Sequence, residues 1–124
     1  PWAPDISFRD GRFWLYYSLS TFGSQVSAIG LATADRPDAP RWDDHGLVFQ
    51  SRRGDPYNAI DPNAFVETSG RLWLAFGSFW KGIFALELDP ATGKPRADAV
   101  PRPIAARPKG TAIEAPFLTE RDGW

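Results

Sequence analysis

The sequence predicts an all-β protein whose strands are grouped into the blades of a β-propeller. Three observations predict it. Short runs rich in aromatic and β-branched residues are bounded by Gly, Asp and Pro, which is the pattern of strands. No 11-residue window carries a sustained helical period. The pattern also repeats: Trp2–Gly11, Asp61–Gly70 and Glu114–Gly123 are three copies of one unit, with closing glycines 59 and 53 residues apart. Four antiparallel strands at a period of roughly 50–60 residues mark a propeller blade. A β-sandwich is the alternative, and it does not explain the shared register.

Each element follows in order. Trp2 to Gly11 reads as a first strand and its turn, and Gly11–Ser18 (Gly-Arg-Phe-Trp-Leu-Tyr-Tyr-Ser) as a second. Ser27–Ala32 is a third strand and Leu47–Gln50 a weaker fourth. The second unit runs Asp61–Gly70, Gly70–Ser78, Gly82–Leu88 and Pro103–Ala106. The division is one blade over residues 1–55, a second over 56–110, and the first strand of a third over 111–124. Pro-rich stretches at 36–40 and 95–108 are loops beside outer edges, where Pro is tolerated. Trp42–Gly46, which holds the single histidine, His45, is expected as a polar outer turn. Trp14 and Trp73 occupy matching second-strand positions and are expected between blades.

Size and composition bound the function. The 124 residues suffice for one ordinary domain, and 43% are apolar, enough for a packed core. Aromatics reach 15%, with six Trp and nine Phe, which suits broad sheet faces or a carbohydrate site. A net charge of -1, with scattered Lys and Arg, argues against a nucleic-acid footprint. The absence of Cys excludes disulfides and thiolate metal sites. No apolar run approaches the roughly 20 residues that span a bilayer. With Pro1 at the head of a repeat, Trp124 just past a turn and no Met, the chain reads as a piece cut at both ends. The lack of a secretory signal is then uninformative about export. Such a piece is expected to be marginally stable, because a propeller closes its ring with four or more blades.

The repeat places Trp2, Asp61 and Glu114 at equivalent positions. In a propeller these positions line one mouth of the central channel. Two carboxylates and an aromatic plate converging there fit sugar-cleaving chemistry. Taken singly, Asp61 before Pro62 is an ordinary turn residue and Glu114 an ordinary surface carboxylate. Their shared register weighs against both plainer readings. Asp5 lies outside that register and is expected to bond backbone amides between blades. A zinc site at His45 is not expected, since zinc wants several N or S ligands.

Five strings carry a resemblance: Trp2-Ala3-Pro4-Asp5-Ile6, Ser20-Thr21-Phe22-Gly23-Ser24, Tyr57-Asn58-Ala59-Ile60-Asp61-Pro62-Asn63, Phe76-Gly77-Ser78-Phe79-Trp80 and Ala112-Ile113-Glu114-Ala115-Pro116. In order and over essentially the whole chain, they resemble the endo-α-1,5-L-arabinanases of glycoside hydrolase family 43. The resemblance implies a five-bladed propeller that cleaves arabinan with inversion, using three carboxylates. By motif, Glu114 matches the general acid and Asp61 the carboxylate that tunes and orients it. The matching general-base Asp would lie upstream of Pro1, so the chain alone is expected to be inactive. An acid must keep its proton near neutral pH, and a neighbouring carboxylate favours this by like-charge repulsion. Acid and base in inverting enzymes stand about 6.5–9.5 Å apart.

The resemblance also implies aromatic walls at Trp2 and Phe22, polar sugar contacts at Asn58 and Ser78, and a floor residue at Ile60. For Asn58, a turn or cap hydrogen bond is an equal alternative. A calcium ion on the axis is implied, held by water and a His absent from these residues. A monomer acting outside the cell, with arabinan as its partner and neither nucleic acid nor membrane, completes the expectation. Rival readings are an exo-arabinofuranosidase or β-xylosidase of the same family, and a non-catalytic carbohydrate-binding propeller. A protein-interaction propeller of the WD type lacks its Trp-Asp and Gly-His signatures here.

Overall fold

A computed structural model describes residues 1–108 and 111–123. Among these described residues, eight strands form two sheets: β1 (Trp2–Arg9), β2 (Arg12–Leu19), β3 (Ser27–Ala34), β4 (Asp43–Ser51), β5 (Asn63–Val66), β6 (Leu72–Phe76), β7 (Ile83–Leu88) and β8 (Arg102–Ala105). Each sheet is a four-stranded antiparallel meander, β1-β2-β3-β4 and β5-β6-β7-β8. The all-β class and the two expected four-stranded units are therefore present. Asp10 and Gly11, at φ 51° and 76°, make the tight turn between β1 and β2 that a right-twisted hairpin requires.

The core lies between the two sheets. The first sheet contributes Tyr16, Ile29, Leu31 and Val48, and the second contributes Leu72, Leu74, Phe76, Phe84, Leu86 and Leu88. Alternation along each strand puts these residues on facing surfaces. Phe49, Tyr57, Phe76 and Phe84 form an aromatic cluster at one end, with centroids 5.0–6.3 Å apart. Trp14 joins this core at 8% exposure. Trp73 does not: it is half-buried, with Arg71 and Arg102 over its ring and its indole N–H donating to Glu67. The two tryptophans are equivalent in sequence, but successive sheets face the same way. Trp14 therefore meets the second sheet, whereas Trp73 points away from the first.

His45 lies inside β4 rather than in an outer turn. Leu31 pairs with Gly46 and Ala32 with Asp44, so His45 is the extra residue of a bulge. Gly46, at φ 71°, permits that bend, which makes a strand segment read as a turn in sequence. The imidazole Nε2 lies 2.8 Å from the Thr33 hydroxyl.

A second bulge sets the register at the site. Asp5 pairs with Tyr16, but Trp2 pairs with Ser18, so one residue is looped out between Trp2 and Asp5. In the second sheet Asn63 pairs with Ala75. Counted from their turn glycines, Tyr16 and Ala75 are equivalent, and Asp5 and Asn63 are therefore structural counterparts. Both reach the next unit: Asp5 Oδ2 accepts from the Ala64 amide at 2.8 Å, and Asn63 Oδ1 accepts from the Leu118 amide at 2.8 Å. Asp5 is thus the inter-sheet amide acceptor the sequence predicted. Residues 111–123 form no extended strand. They run beside the second sheet, joined by a Ser78–Glu114 bridge and by Phe79 N donating to Ile113 O at 3.0 Å.

Candidate active site

A groove of about 500 Å³ opens where the two sheets and the 111–123 segment meet. Trp2, Phe22, Asn58, Ile60, Ser78 and Glu114 all line it, joined by Phe79, Trp80 and residues 20–24. Six of the seven predicted site residues thus share one cavity, although they come from five separate stretches of chain.

Asp61 is the exception, because it lies beneath the wall. It is 8% exposed, and its backbone is left-handed at φ 53°. Its Oδ2 accepts from the Ala115 amide at 3.2 Å. Burial pushes its carboxyl pKa upward; the Ala115 hydrogen bond opposes that shift, and the nearby Glu114 charge adds to it. Asp61 therefore grips the residue after Glu114 and also feels the charge of Glu114.

Glu114 faces the groove. Its Oε2 accepts a hydrogen bond of 2.9 Å from the Ser78 hydroxyl, and Ser78 itself is 5% exposed. Backbone pairing and the side-chain bond together fix the carboxyl in place. Ser78 thus acts directly on Glu114.

The aromatic wall is formed by Trp2 and Phe22, stacked with centroids 6.3 Å apart and planes 15° apart. Phe22 is 89% exposed at the tip of the loop between β2 and β3. Its one aromatic neighbour is the Trp2 ring, and the rest of its surface faces solvent. The indole N–H of Trp2 donates to Ser20 O at 3.0 Å, which joins both rings to one loop.

Phe79 and Trp80 form a second aromatic flank. Their φ values are 55° and 40°, a left-handed pair that costs about 1–3 kcal/mol per residue and persists only where surroundings enforce it. Here Phe79 N is tied to Ile113 O, Lys81 N to Pro56 O at 3.0 Å, and Gly82 N to Phe79 O at 2.8 Å. In sequence, Trp80 is ambiguous between core and rim, and Phe79 carries no site signal beyond its place between Gly77 and Gly82. The structure sets both in the groove wall.

Among the described residues, no group of three or more His, Cys, Asp and Glu side chains could hold a metal ion. Asp61 and Glu114 alone do not make a calcium cage.

The match to glycosyl hydrolases family 43 covers residues 1–124. The chain belongs to that family. It is 50% identical to the extracellular endo-α-(1→5)-L-arabinanase 1 of Bacillus subtilis (strain 168), over 99% of this chain and 38% of that protein. It superposes on a family 43 endo-arabinanase from Bacillus licheniformis with a TM-score of 0.91 at 53% identity, covering 98% of this chain and 42% of that one. An exo-1,5-α-L-arabinanase from a bovine ruminal metagenomic library gives 0.86 at 45% identity, covering 97% and 42%. The chain therefore spans well under half the length of these relatives.

Proposed function

We propose that the whole protein carrying these residues is an inverting glycoside hydrolase that cleaves internal α-1,5-L-arabinofuranosidic bonds of arabinan. The carrying observation is the carboxylate pair: Glu114 at the groove surface, bonded by Ser78, and Asp61 buried beneath, bonded to Ala115 N. Glu114 delivers its proton to the glycosidic oxygen as the bond to the anomeric carbon breaks. Asp61 orients the Glu114 backbone through its bond to the Ala115 amide. Water attacks from the opposite face, and its proton passes to a base supplied from outside these residues. Arabinofuranose rings lie on the Trp2–Phe22 plates through their C–H faces.

The two sheets fit the reading as successive blades of a five-bladed propeller. Secretion is proposed alongside, in keeping with the B. subtilis relative that is named as extracellular. Any calcium would draw its His ligand from elsewhere in the whole protein. Exo action is the second reading, favoured by the 45% identity to an exo-arabinanase.

Incubating the whole protein with debranched linear arabinan separates these. A ladder of arabino-oligosaccharides means endo action, and monosaccharide alone means exo action. Retained polymer binding without product refutes the hydrolase reading. Glu114→Gln should lower kcat by roughly 10²–10⁴-fold, the scale of general acid catalysis. Near-normal turnover would remove Glu114 from that role.

A further inference from the structure

The loop that carries Phe22 is exposed, yet a buried polar relay crosses its base. Ser20 Oγ lies 2.7 Å from Ser27 Oγ, and Ser27 Oγ donates to Asn58 Oδ1 at 2.6 Å. Because the Ser27 proton is used on Asn58, Ser20 is the donor of the first bond. Asn58 Nδ2 then donates to Ser24 O at 3.3 Å. The relay leaves the loop at Ser20, passes through Ser27 and Asn58, and returns at Ser24. Phe22 stands at the centre of the span it encloses.

The relay is buried and anchored. Ser27 is 5% exposed and Asn58 3%. Gln25 adds a second tie, with Nε2 donating to Asp55 O at 2.7 Å and Oε1 accepting from Gly54 N at 3.2 Å. The Asn58 carbonyl accepts from Ile60 N at 2.9 Å, inside the turn that leads to Asp61. The same residue therefore holds the aromatic loop and the entry to the carboxylate. Its side-chain oxygen and one amide hydrogen are committed internally, which leaves little for a direct sugar contact.

We propose that Ser27 and Asn58 are positioning residues that set Phe22 over the groove, so that they govern binding of sugar at the aromatic wall and not proton transfer at Glu114. The proposal rests on the hydrolase reading above. Satisfied buried networks hold one geometry, and an exposed ring on a short loop, packed only against Trp2, has little packing of its own to do so. Ser27 is the informative position, because it does not line the groove and cannot touch substrate.

The test is steady-state kinetics of the whole protein on linear arabinan for Ser27→Ala, Phe22→Ala and the double variant. Ser27→Ala is expected to raise KM roughly fivefold, the scale of one lost neutral hydrogen bond, with kcat within about twofold. In the Phe22→Ala background the same change should leave KM unaltered, because the ring it positions is gone. Ser27→Thr, which keeps the hydroxyl, should restore most of the affinity. Unchanged KM in a folded Ser27→Ala protein would overturn the proposal, and so would an equal rise in both backgrounds. Should Ser27→Ala not fold, Asn58→Asp serves instead: it keeps the Ser27 acceptor but sets an oxygen against Ser24 O, with the same expected KM rise and dependence on Phe22. An inactive wild type would refute the hydrolase reading, whereas an active wild type with an insensitive Ser27 refutes only the positioning role.

Discussion

Gly93→Ala should be among the most damaging single-methyl changes in the protein. Gly93 sits in the turn after β7 and presses into the first sheet, where its carbonyl accepts from the Tyr16 hydroxyl at 3.0 Å. An added Cβ would lie 2.7 Å from Trp14 Cζ3, 2.8 Å from Tyr16 Oη and 2.9 Å from Leu31 Cδ2. Tyr16 and Leu31 are fully buried, so neither can swing aside. Overpacking of this kind costs about 1–3 kcal/mol. The backbone is left-handed at φ 67°, which adds about 1 kcal/mol for a residue with a Cβ. A loss of roughly 2–4 kcal/mol follows, measurable by urea unfolding with tryptophan fluorescence. Gly70→Ala is the control: its φ is 85°, but an added Cβ there meets nothing within 4 Å, so only the backbone contribution applies. Equal destabilisation by the two variants would refute the reasoning, because it would leave the packing contribution at zero.

Two further outcomes follow from the same contacts. Asp5→Ala removes the acceptor of the Ala64 amide between the sheets and should cost about 1–2 kcal/mol of unfolding free energy; an unchanged urea midpoint would show that water replaces the carboxylate without penalty. Asp61→Asn should stabilise the protein at neutral pH while impairing turnover. The folded state raises the Asp61 pKa through burial, so it binds the proton more tightly than the unfolded chain does. Stability therefore falls as pH rises from the ordinary carboxylate value through the raised one. Asparagine cannot ionise, so the melting temperature of Asp61→Asn relative to wild type should climb between acid pH and pH 7. A gap that narrows over that range would contradict the assigned direction.

Much of the architecture is legible in the chain because it is local. Strand alternation, turn glycines and the repeat spacing place the strands of both sheets to within a few residues. The equivalence of Trp2 and Asp61 is also visible, although it survives only because a bulge in β1 offsets a hairpin one residue shorter than its counterpart. His45 reads as a turn residue for a related reason: Gly46 and its acidic neighbours look like a turn, and only pairing with β3 makes them a bulged strand.

The sequence by itself determined that Trp2 and Glu114 reach one groove, since a repeating unit delivers the same position to the same place each time, and the motif resemblance added Phe22, Asn58, Ile60 and Ser78. Tertiary structure alone decided what each of them does there. Burial depends on which sheet covers which face, and no local pattern records that. It separates buried Trp14 from half-exposed Trp73, and it sinks Asp61 beneath the wall while Glu114 faces the groove. It also commits Asn58 to the loop that carries Phe22, through partners more than thirty residues away in the chain.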